Sequence, residues 1–320
     1  MTDPRLALVP GSDLAAAASR VQVYLRNTRA ENTRKAYASD WQQFSAWCQT
    51  HGLPDLPAAP ATLMLYLGEL AGTGKKISTL TRRVAAIAQV HRVGGHEAPG
   101  EARAVRDLLS GIRRTHGVAP QGKQALLSDD IRAIVRGLSD SLRDVRDQAL
   151  LLIGFAGAFR RSELVGIQVE DVEFVEEGLV IQLRSNKTDQ EGQGREVAIP
   201  LGSRPETCPV SALRRWMDLA GISSGPLFRG VSRHQRVAEE SLTPTAVALI
   251  VKERALAAGL DAALYSGHSL RAGFATAAAL GGAPEWAIMK QTGHRSRAML
   301  DRYVRVASRF RSNAVTFTGL

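Results

Sequence analysis

A short Gly/Pro-containing stretch at 117–123 is the feature that most constrains how this chain can fold. It holds few large apolar residues, which is typical of a linker between domains. A chain of 320 residues is long enough for two domains that each bury a core of their own. We therefore predict a first domain at 1–116, a linker at 117–127 and a second domain at 128–320.

The first of these segments predicts helices only. Its apolar residues recur at helical spacing between glycine and proline breaks, and we find no strand-like alternation there. The second predicted helix carries an apolar stripe that we interpret as its core face, formed by Tyr37, Trp41, Phe44, Trp47 and Cys48. The five predicted helices cover 13–26, 32–50, 60–71, 78–93 and 100–115.

The second segment predicts helices around a small sheet. A strongly apolar helix is expected at 145–158, and two strands at 178–184 and 195–200 flank the polar loop 185–194. Helices are expected again from 210 to the end. The predicted fold class is mainly α, with a helical first domain and a mixed, mostly helical second domain that contains a small antiparallel sheet.

The charge of the chain favours a polyanionic partner. The formal net charge is +10 and the sequence pI is near 10.1, and neutralisation of phosphates by basic residues supplies most non-specific affinity for nucleic acid. Solubility alone is the alternative explanation. The two cysteines show no paired spacing that would indicate zinc or a disulfide framework. No apolar stretch is long enough for a membrane helix, so we expect a cytoplasmic protein.

Several polar residues of the second domain could carry chemistry, although each has an ordinary structural explanation. Arg160 and Glu163 stand at i,i+3 where an ion pair is common, in a segment that would close the apolar helix. Lys187 would be a solvated loop lysine, and either His268 or Ser269 would cap a helix. Gly293-His294 would be the end of a helix, and Tyr303 would be a core tyrosine whose hydroxyl reaches solvent.

Five of these residues, together with Arg271, describe a site for phosphoryl transfer: Arg160, Lys187, His268, Arg271, His294 and Tyr303. Cleaving a phosphodiester requires a nucleophilic oxygen, cations for the non-bridging oxygens and an acid for the leaving oxygen. Tyr303 provides the first, and the guanidiniums of Arg160 and Arg271 provide the second. No acidic triad lies near them, and the chain has no Walker A motif, so we expect neither a metal nor ATP.

The ordered set Arg160-x-x-Glu163-Leu164, Lys187, His268-x-x-Arg271, Gly293-His294 and Tyr303 resembles the signature of the tyrosine recombinase (phage integrase) family. The segments Tyr265 to Gly273 and Ile288 to His294 resemble the Cre-like branch in particular. So do Ser45 to Cys48 and Lys123 to Leu126, and the similarity spans nearly the whole chain.

The resemblance implies a site-specific DNA recombinase that forms a 3′-phosphotyrosyl link on Tyr303. The first domain would be a core-binding domain and the second the catalytic domain, with Glu163 supporting the site. His268 would act as general base and Lys187 as general acid. Two alternatives stay open: a type IB topoisomerase that nicks and closes DNA, and a catalytically silent DNA-binding protein of the same fold.

Partners and DNA contacts also follow from the resemblance. It implies double-stranded DNA with inverted repeats around a short spacer, a homotetramer on two DNA sites, and a nucleoid-associated bacterial protein. The tail at 304–320 would dock on a neighbouring protomer, with packing onto its own domain as the alternative. Whether accessory proteins are also required stays open. Basic clusters at helix starts suit phosphate, and the helix that begins near Thr243 would enter the major groove. The predicted DNA contacts are Arg34, Lys35, Lys75, Lys76, Arg82, Arg83, Arg233, Arg236, Thr243 and Thr245.

Overall fold

The structure, a computed structural model, describes residues 31–117, 123–184, 194–294 and 296–307, with isolated positions nearer each end. The chain divides into two compact units, Met1–Gln121 and Gly122–Leu320. Three predictions fall wholly or largely outside the described residues: the first helix at 13–26, the loop that carries Lys187, and the docking of the tail. No helix of the described part is long and apolar enough to cross a membrane.

The first unit is built from helices in its described part. Phe44 and Cys48 are completely buried, and Trp41 and Trp47 pack against the same core, which confirms the predicted apolar stripe. The helix expected at 100–115 begins later, at Arg103, because the chain first makes a 3₁₀ turn at Pro99–Glu101 and an extended residue follows it. The four helices are α1 (Glu31–Thr50), α2 (Pro60–Gly72), α3 (Ile77–Val93) and α4 (Arg103–His116).

The second unit is mostly helical, with two small antiparallel sheets. Its core joins the central apolar helix to one face of the larger sheet through residues such as Leu150, Ile181 and Trp216, all completely buried. Its helices are α5 (Ser128–Arg136), α6 (Leu142–Ala156), α7 (Arg161–Gly166), α8 (Pro209–Ala220), α9 (Pro244–Ala257), α10 (Ser269–Leu280), α11 (Glu285–Thr292) and α12 (Arg297–Ala307). Its strands are β1 (Val172–Val175), β2 (Gly178–Leu183), β3 (Arg195–Pro200), β4 (Arg229–Val231) and β5 (Val237–Ser241).

The sheet content is larger than the sequence indicated. The expected pair of strands, β2 and β3, gains β1 as a third strand on the other side of β2. The expectation of helices alone after 210 was wrong, because β4 and β5 pair as a second hairpin. β5 carries two consecutive glutamates, so it lacks the apolar alternation that identifies a half-buried strand.

The first residues of the second unit are attached to the start of α10 and to the 3₁₀ turn before it. The backbone N–H of Gln124 donates to the carbonyl of Leu264, and that of Leu126 donates to Ser269. Gly273 permits this approach, because a Cβ atom there would lie 1.8 Å from the carbonyl oxygen of Leu126. The entry to the second unit is therefore packed directly against the helix that carries Arg271.

Candidate active site

Arg160 is positioned by a tight turn between α6 and α7. The expectation that Arg160 closes the apolar helix was wrong, because α6 ends at Ala156 and Arg160 is the residue that precedes α7. The turn includes Ala158 in the left-handed conformation, with φ of 49°. Such backbone strain is uncommon for a non-glycine residue and is concentrated at functional sites.

Glu163 organises this turn from the first turn of α7. Its carboxylate accepts a hydrogen bond from the backbone N–H of Arg160 at 2.9 Å and pairs with the guanidinium of the same residue. The Glu163 side chain is only 2% exposed. The predicted i,i+3 pair is thus present, and because it is buried it constrains Arg160 more strongly than a surface pair would.

Arg271 lies in the first turn of α10 and is almost completely buried. Its Nη1 donates to the carbonyl of Ala158 at 2.8 Å, which connects it to the turn before Arg160. Its Nη2 is buried and has no hydrogen-bond partner among the residues that the structure describes. Burial, followed by the nearby Arg160 charge, lowers the pKa of Arg271 to about 10.

His268 and Tyr303 meet from two different helices. The Tyr303 hydroxyl, on α12, is 3.4 Å from Nε2 of His268, at the long end of hydrogen-bonding distance. The side chain of His268 does not cap α10, although its residue occupies the N-cap position. Tyr303 also packs against a small cluster formed by Ala275, Ile288 and Leu300.

His294 follows the end of α11, where Gly293 adopts the left-handed conformation with φ of 64°. The expected helix stop is therefore confirmed. The imidazole stacks on the ring of Tyr303, with 6.0 Å between ring centroids. Burial, and then the charges of Arg271 and Arg160, lower the pKa of His294 to about 4, so the ring is neutral near pH 7.

The hydrogen bonds of Thr292 assign the proton of this neutral ring. The Thr292 hydroxyl lies 2.7 Å from the carbonyl oxygen of Ile288 and 2.8 Å from Nδ1 of His294. The carbonyl can only accept, so it takes the single hydroxyl proton. Nδ1 must then carry the imidazole proton and donate to Thr292, which leaves Nε2 of His294 as an acceptor.

Arg195 also belongs to this cluster, and sequence reasoning missed it. It is the first residue of β3, and its Nη2 lies 3.8 Å from the Glu163 carboxylate. Burial lowers its pKa, the Glu163 carboxylate opposes this shift, and the Arg160 charge adds to it. The only signal in the sequence was an arginine immediately after the polar loop, which is also what a solvated strand end would show.

The described part of the site therefore has an excess of positive charge. Arg160, Arg195 and Arg271 influence one another electrostatically, and Glu163 is the carboxylate that offsets them. The described residues contain no group of three or more histidine, cysteine or carboxylate side chains arranged to hold a metal. A cation cluster of this kind is suited to an anion with several oxygens, such as a phosphate.

The predicted DNA contacts of the first unit fall into an exposed group and a group with partners inside the unit. Lys75 and Lys76 are exposed immediately before α3, and Arg34 and Lys35 are exposed in the first turn of α1. Arg83, by contrast, is buried in the core.

The burial of Arg83 does not fit its predicted contact with DNA. Its guanidinium bonds to the Tyr66 hydroxyl and to Gln43. Arg82 is half-exposed and makes a bidentate pair with Asp40. Both arginines therefore have internal partners in the first unit.

The predicted contacts of the second unit lie on its surface. Arg233 and Arg236 are exposed at the turn between β4 and β5. Thr243 is the N-cap of α9, because its hydroxyl accepts from the backbone N–H of Ala246 at 3.1 Å. Thr245 is exposed in the first turn of the same helix.

Comparison with known proteins identifies the class to which this fold and site belong. The model of the phage integrase family matches residues 124–309. An integrase/recombinase xerD homolog from Selenomonas ruminantium is 43% identical over 295 residues, covering 91% of this chain and 86% of its own length. The Cre recombinase of Escherichia phage P1 is 26% identical, covering 88% and 85% of the two chains.

Solved structures share the fold at low sequence identity. The integrase of transposon Tn1549, in complex with transposon right end DNA, aligns with a TM-score of 0.64 at 14% identity, covering 93% of this chain and 98% of that chain. A lambda integrase dimer bound to a core site gives a TM-score of 0.55 at 17% identity, covering 88% and 92%. This chain belongs to the phage integrase family and is a tyrosine site-specific recombinase.

Proposed function

We propose that this chain cleaves and rejoins DNA strands through a covalent 3′-phosphotyrosyl intermediate on Tyr303, without metal or ATP. The observation that carries the proposal is the excess of guanidinium groups around one carboxylate, beside a tyrosine hydroxyl 3.4 Å from an imidazole. These are the parts that a nucleophilic substitution at phosphorus requires.

The reaction begins with the Tyr303 hydroxyl. His268 accepts its proton as the oxygen attacks phosphorus, and the bond from phosphorus to the 5′ oxygen of the next nucleotide breaks. Lys187 protonates that leaving oxygen, which becomes a 5′ hydroxyl. The new tyrosyl phosphodiester replaces the broken one, so attack by a 5′ hydroxyl reverses the step and rejoins DNA without an external energy source.

The cations hold the phosphate during this exchange. Arg160 and Arg271 donate to the non-bridging oxygens, and Glu163 supports Arg160 through the buried pair. The unpartnered Nη2 of Arg271 is a buried donor whose satisfaction by a phosphate oxygen would recover part of its desolvation cost. His294 donates to the same phosphate from Nε2 when phosphate binding moves the imidazole proton there from Nδ1, which then accepts from the Thr292 hydroxyl.

The substrate that we propose is double-stranded DNA with inverted repeats around a short spacer, bound by a homotetramer that joins two such sites. Solved structures of the same fold are complexes with DNA, including one with a palindromic substrate. The exposed basic residues at the starts of α1 and α3 and in the β4–β5 turn are the phosphate contacts in this proposal, and Thr245 faces the bases.

A suicide substrate tests the covalent mechanism. Selection from a random DNA pool by the full-length protein first gives its target, and a nick near the cleavage point then prevents religation. We expect a protein–DNA adduct that survives denaturant and is absent with Tyr303→Phe. An adduct that persists in Tyr303→Phe, or none with the intact protein, would falsify the proposal. Strand-exchanged products from two-site DNA separate recombination from nicking and closing.

A further inference from the structure

Arg195 connects two parts of the candidate site that lie far apart in sequence. Its Nη1 donates to the carbonyl oxygen of Gln291 at 2.9 Å and lies 3.4 Å from that of Lys290. These carbonyls belong to the last turn of α11, three and four residues before His294. The other side of the guanidinium faces the Glu163 carboxylate, which holds Arg160.

Gln291 adds a second connection between the same parts. Its side-chain amide donates to the carbonyl of Ala156 at 2.8 Å and to that of Ala198 at 3.1 Å. Ala156 is the last residue of α6, at the start of the turn that leads to Arg160, whereas Ala198 lies within β3. One glutamine therefore joins the end of α6, the third strand and the end of α11.

Gly293 leaves room for this arrangement. A Cβ atom at Gly293 would lie 3.0 Å from Nε of Arg195, closer than ordinary van der Waals contact. The left-handed φ of Gly293 also turns the chain sharply between the last turn of α11 and His294. The guanidinium thus packs against the backbone that directly determines where the His294 ring lies.

The burial of a third guanidinium is difficult to explain as a contribution to stability. Nε and Nη2 of Arg195 are buried and have no hydrogen-bond partner among the described residues. Burial lowers the pKa of Arg195; the Glu163 carboxylate opposes that shift and the Arg160 charge adds to it. An apolar side chain of similar volume would avoid burying these unsatisfied donors, as replacement of buried ion pairs by apolar groups often shows.

We propose that Arg195 and Gln291 form a positioning clamp that holds β3 and the end of α11 against the Arg160 turn, and so aligns His294 with Arg160 for cleavage. The proposal rests on the function proposed above. Neither clamp residue touches the phosphate; they act through the backbone that carries His294 and through Glu163.

Arg195→Met tests the clamp, because it removes the hydrogen bonds and the charge while keeping volume. We expect the midpoint of thermal unfolding to stay the same or to rise, the DNA dissociation constant to change less than threefold, and the single-turnover cleavage rate at saturating DNA to fall at least tenfold. Arg195→Lys should recover part of that rate. The matched control is Arg215→Met, which removes an exposed arginine paired only with Asp140 and should cleave normally.

Gln291→Ala supplies the second arm, with Gln148→Ala as its control, since Gln148 likewise donates to a backbone carbonyl but on an exposed surface. If the two clamp residues act as one device, the double variant Arg195→Met/Gln291→Ala should cleave within threefold of the slower single variant. If the rate losses of the two single variants multiply in the double variant, the two residues act independently and the proposal of a single clamp is overturned. An unchanged saturated rate in Arg195→Met would overturn it as well.

Amide hydrogen exchange separates failure of the clamp from failure of the proposed function. The N–H groups of Gly293 and His294 both bond to the carbonyl of Met289. In the free protein, Arg195→Met should accelerate exchange at these two amides without affecting the core of α9. Unchanged exchange overturns the clamp, whereas an intact protein that forms no DNA adduct overturns the covalent mechanism instead.

Discussion

Replacement of Glu163 by glutamine tests the charge balance of the site most directly. Glutamine keeps the length of the side chain but removes the carboxylate that offsets Arg160, Arg195 and Arg271. The side chain is 2% exposed, and it accepts from the Arg160 backbone at 2.9 Å as well as from its guanidinium. The loss therefore combines a charge-assisted hydrogen bond with unopposed repulsion among three buried or half-buried cations.

The expected magnitude follows from these contacts. A hydrogen bond to a charged group contributes about 1.5–3 kcal/mol, and breaking a fully buried ion pair costs about 3–5 kcal/mol. Arg160 keeps 17% of its side chain exposed, so water can solvate part of the freed charge. We expect Glu163→Gln to lower the free energy of unfolding by roughly 2–3 kcal/mol.

Urea unfolding without sulfate measures the stability lost in Glu163→Gln, and the effect of added sulfate measures the positive charge left unbalanced. Sulfate can replace the lost negative charge, and a ligand at a hundred times its dissociation constant stabilises by about 2.7 kcal/mol. Sulfate should therefore stabilise Glu163→Gln more than the unsubstituted protein. The control is Glu253→Gln, whose exposed pair with Arg143 contributes less than about 1 kcal/mol. A loss no larger than that of the control, with equal responses to sulfate, would refute the reasoning.

Three further predictions concern other parts of the molecule. The pKa of His294 is about 4 in the folded protein and ordinarily 6.5, so the unfolded chain binds more protons between these values. Stability should fall as pH is lowered from 6.5 towards 4, and His294→Gln should lose this part of the slope in urea unfolding. Lys75→Ala should weaken DNA binding and reduce the slope of log affinity against log salt by about 1, whereas Arg92→Ala in the last turn of α3, where Arg92 pairs with Glu101, should leave that slope unchanged. Gly273→Ala should lower the free energy of unfolding by about 1–3 kcal/mol, because its methyl group would overlap the Leu126 carbonyl; a normal thermal midpoint would contradict this packing.

The sequence predicted those features that depend on local pattern or on an ordered motif. The helices of the first unit follow from apolar spacing, and β3 begins and ends at the predicted residues. The turn at Ala158 was missed because Gly157-Ala158-Phe159 contains no proline and continues an apolar run. A chain break of that kind is set by tertiary packing, here by the buried ring of Phe159, rather than by local propensity.

Arg195 and Arg83 show why charged residues were the hardest to interpret. Arg195 reaches Glu163 and Gln291 across long sequence separations, and no spacing rule connects such positions. Arg83 stands among basic residues at a helix start, yet its helical position turns it toward Tyr66. For both arginines, the partners come from other elements of the fold, so the sequence could indicate the charge but not the side of the molecule on which it lies.

The charge of the described site also explains how it can favour reaction over binding. Three guanidiniums and one carboxylate leave two positive charges, and His294 adds none near pH 7 because its pKa is about 4. In the proposed mechanism a phosphodiester brings one negative charge, and attack by Tyr303 with transfer of its proton to His268 gives a transition state with two negative charges on the phosphate and a new positive charge on His268. The cations of the described site therefore attract the transition state more strongly than the bound diester. An enzyme gains rate only from interactions that are stronger in the transition state, so the buried repulsion among Arg160, Arg195 and Arg271 is relieved most fully at the step that must be accelerated.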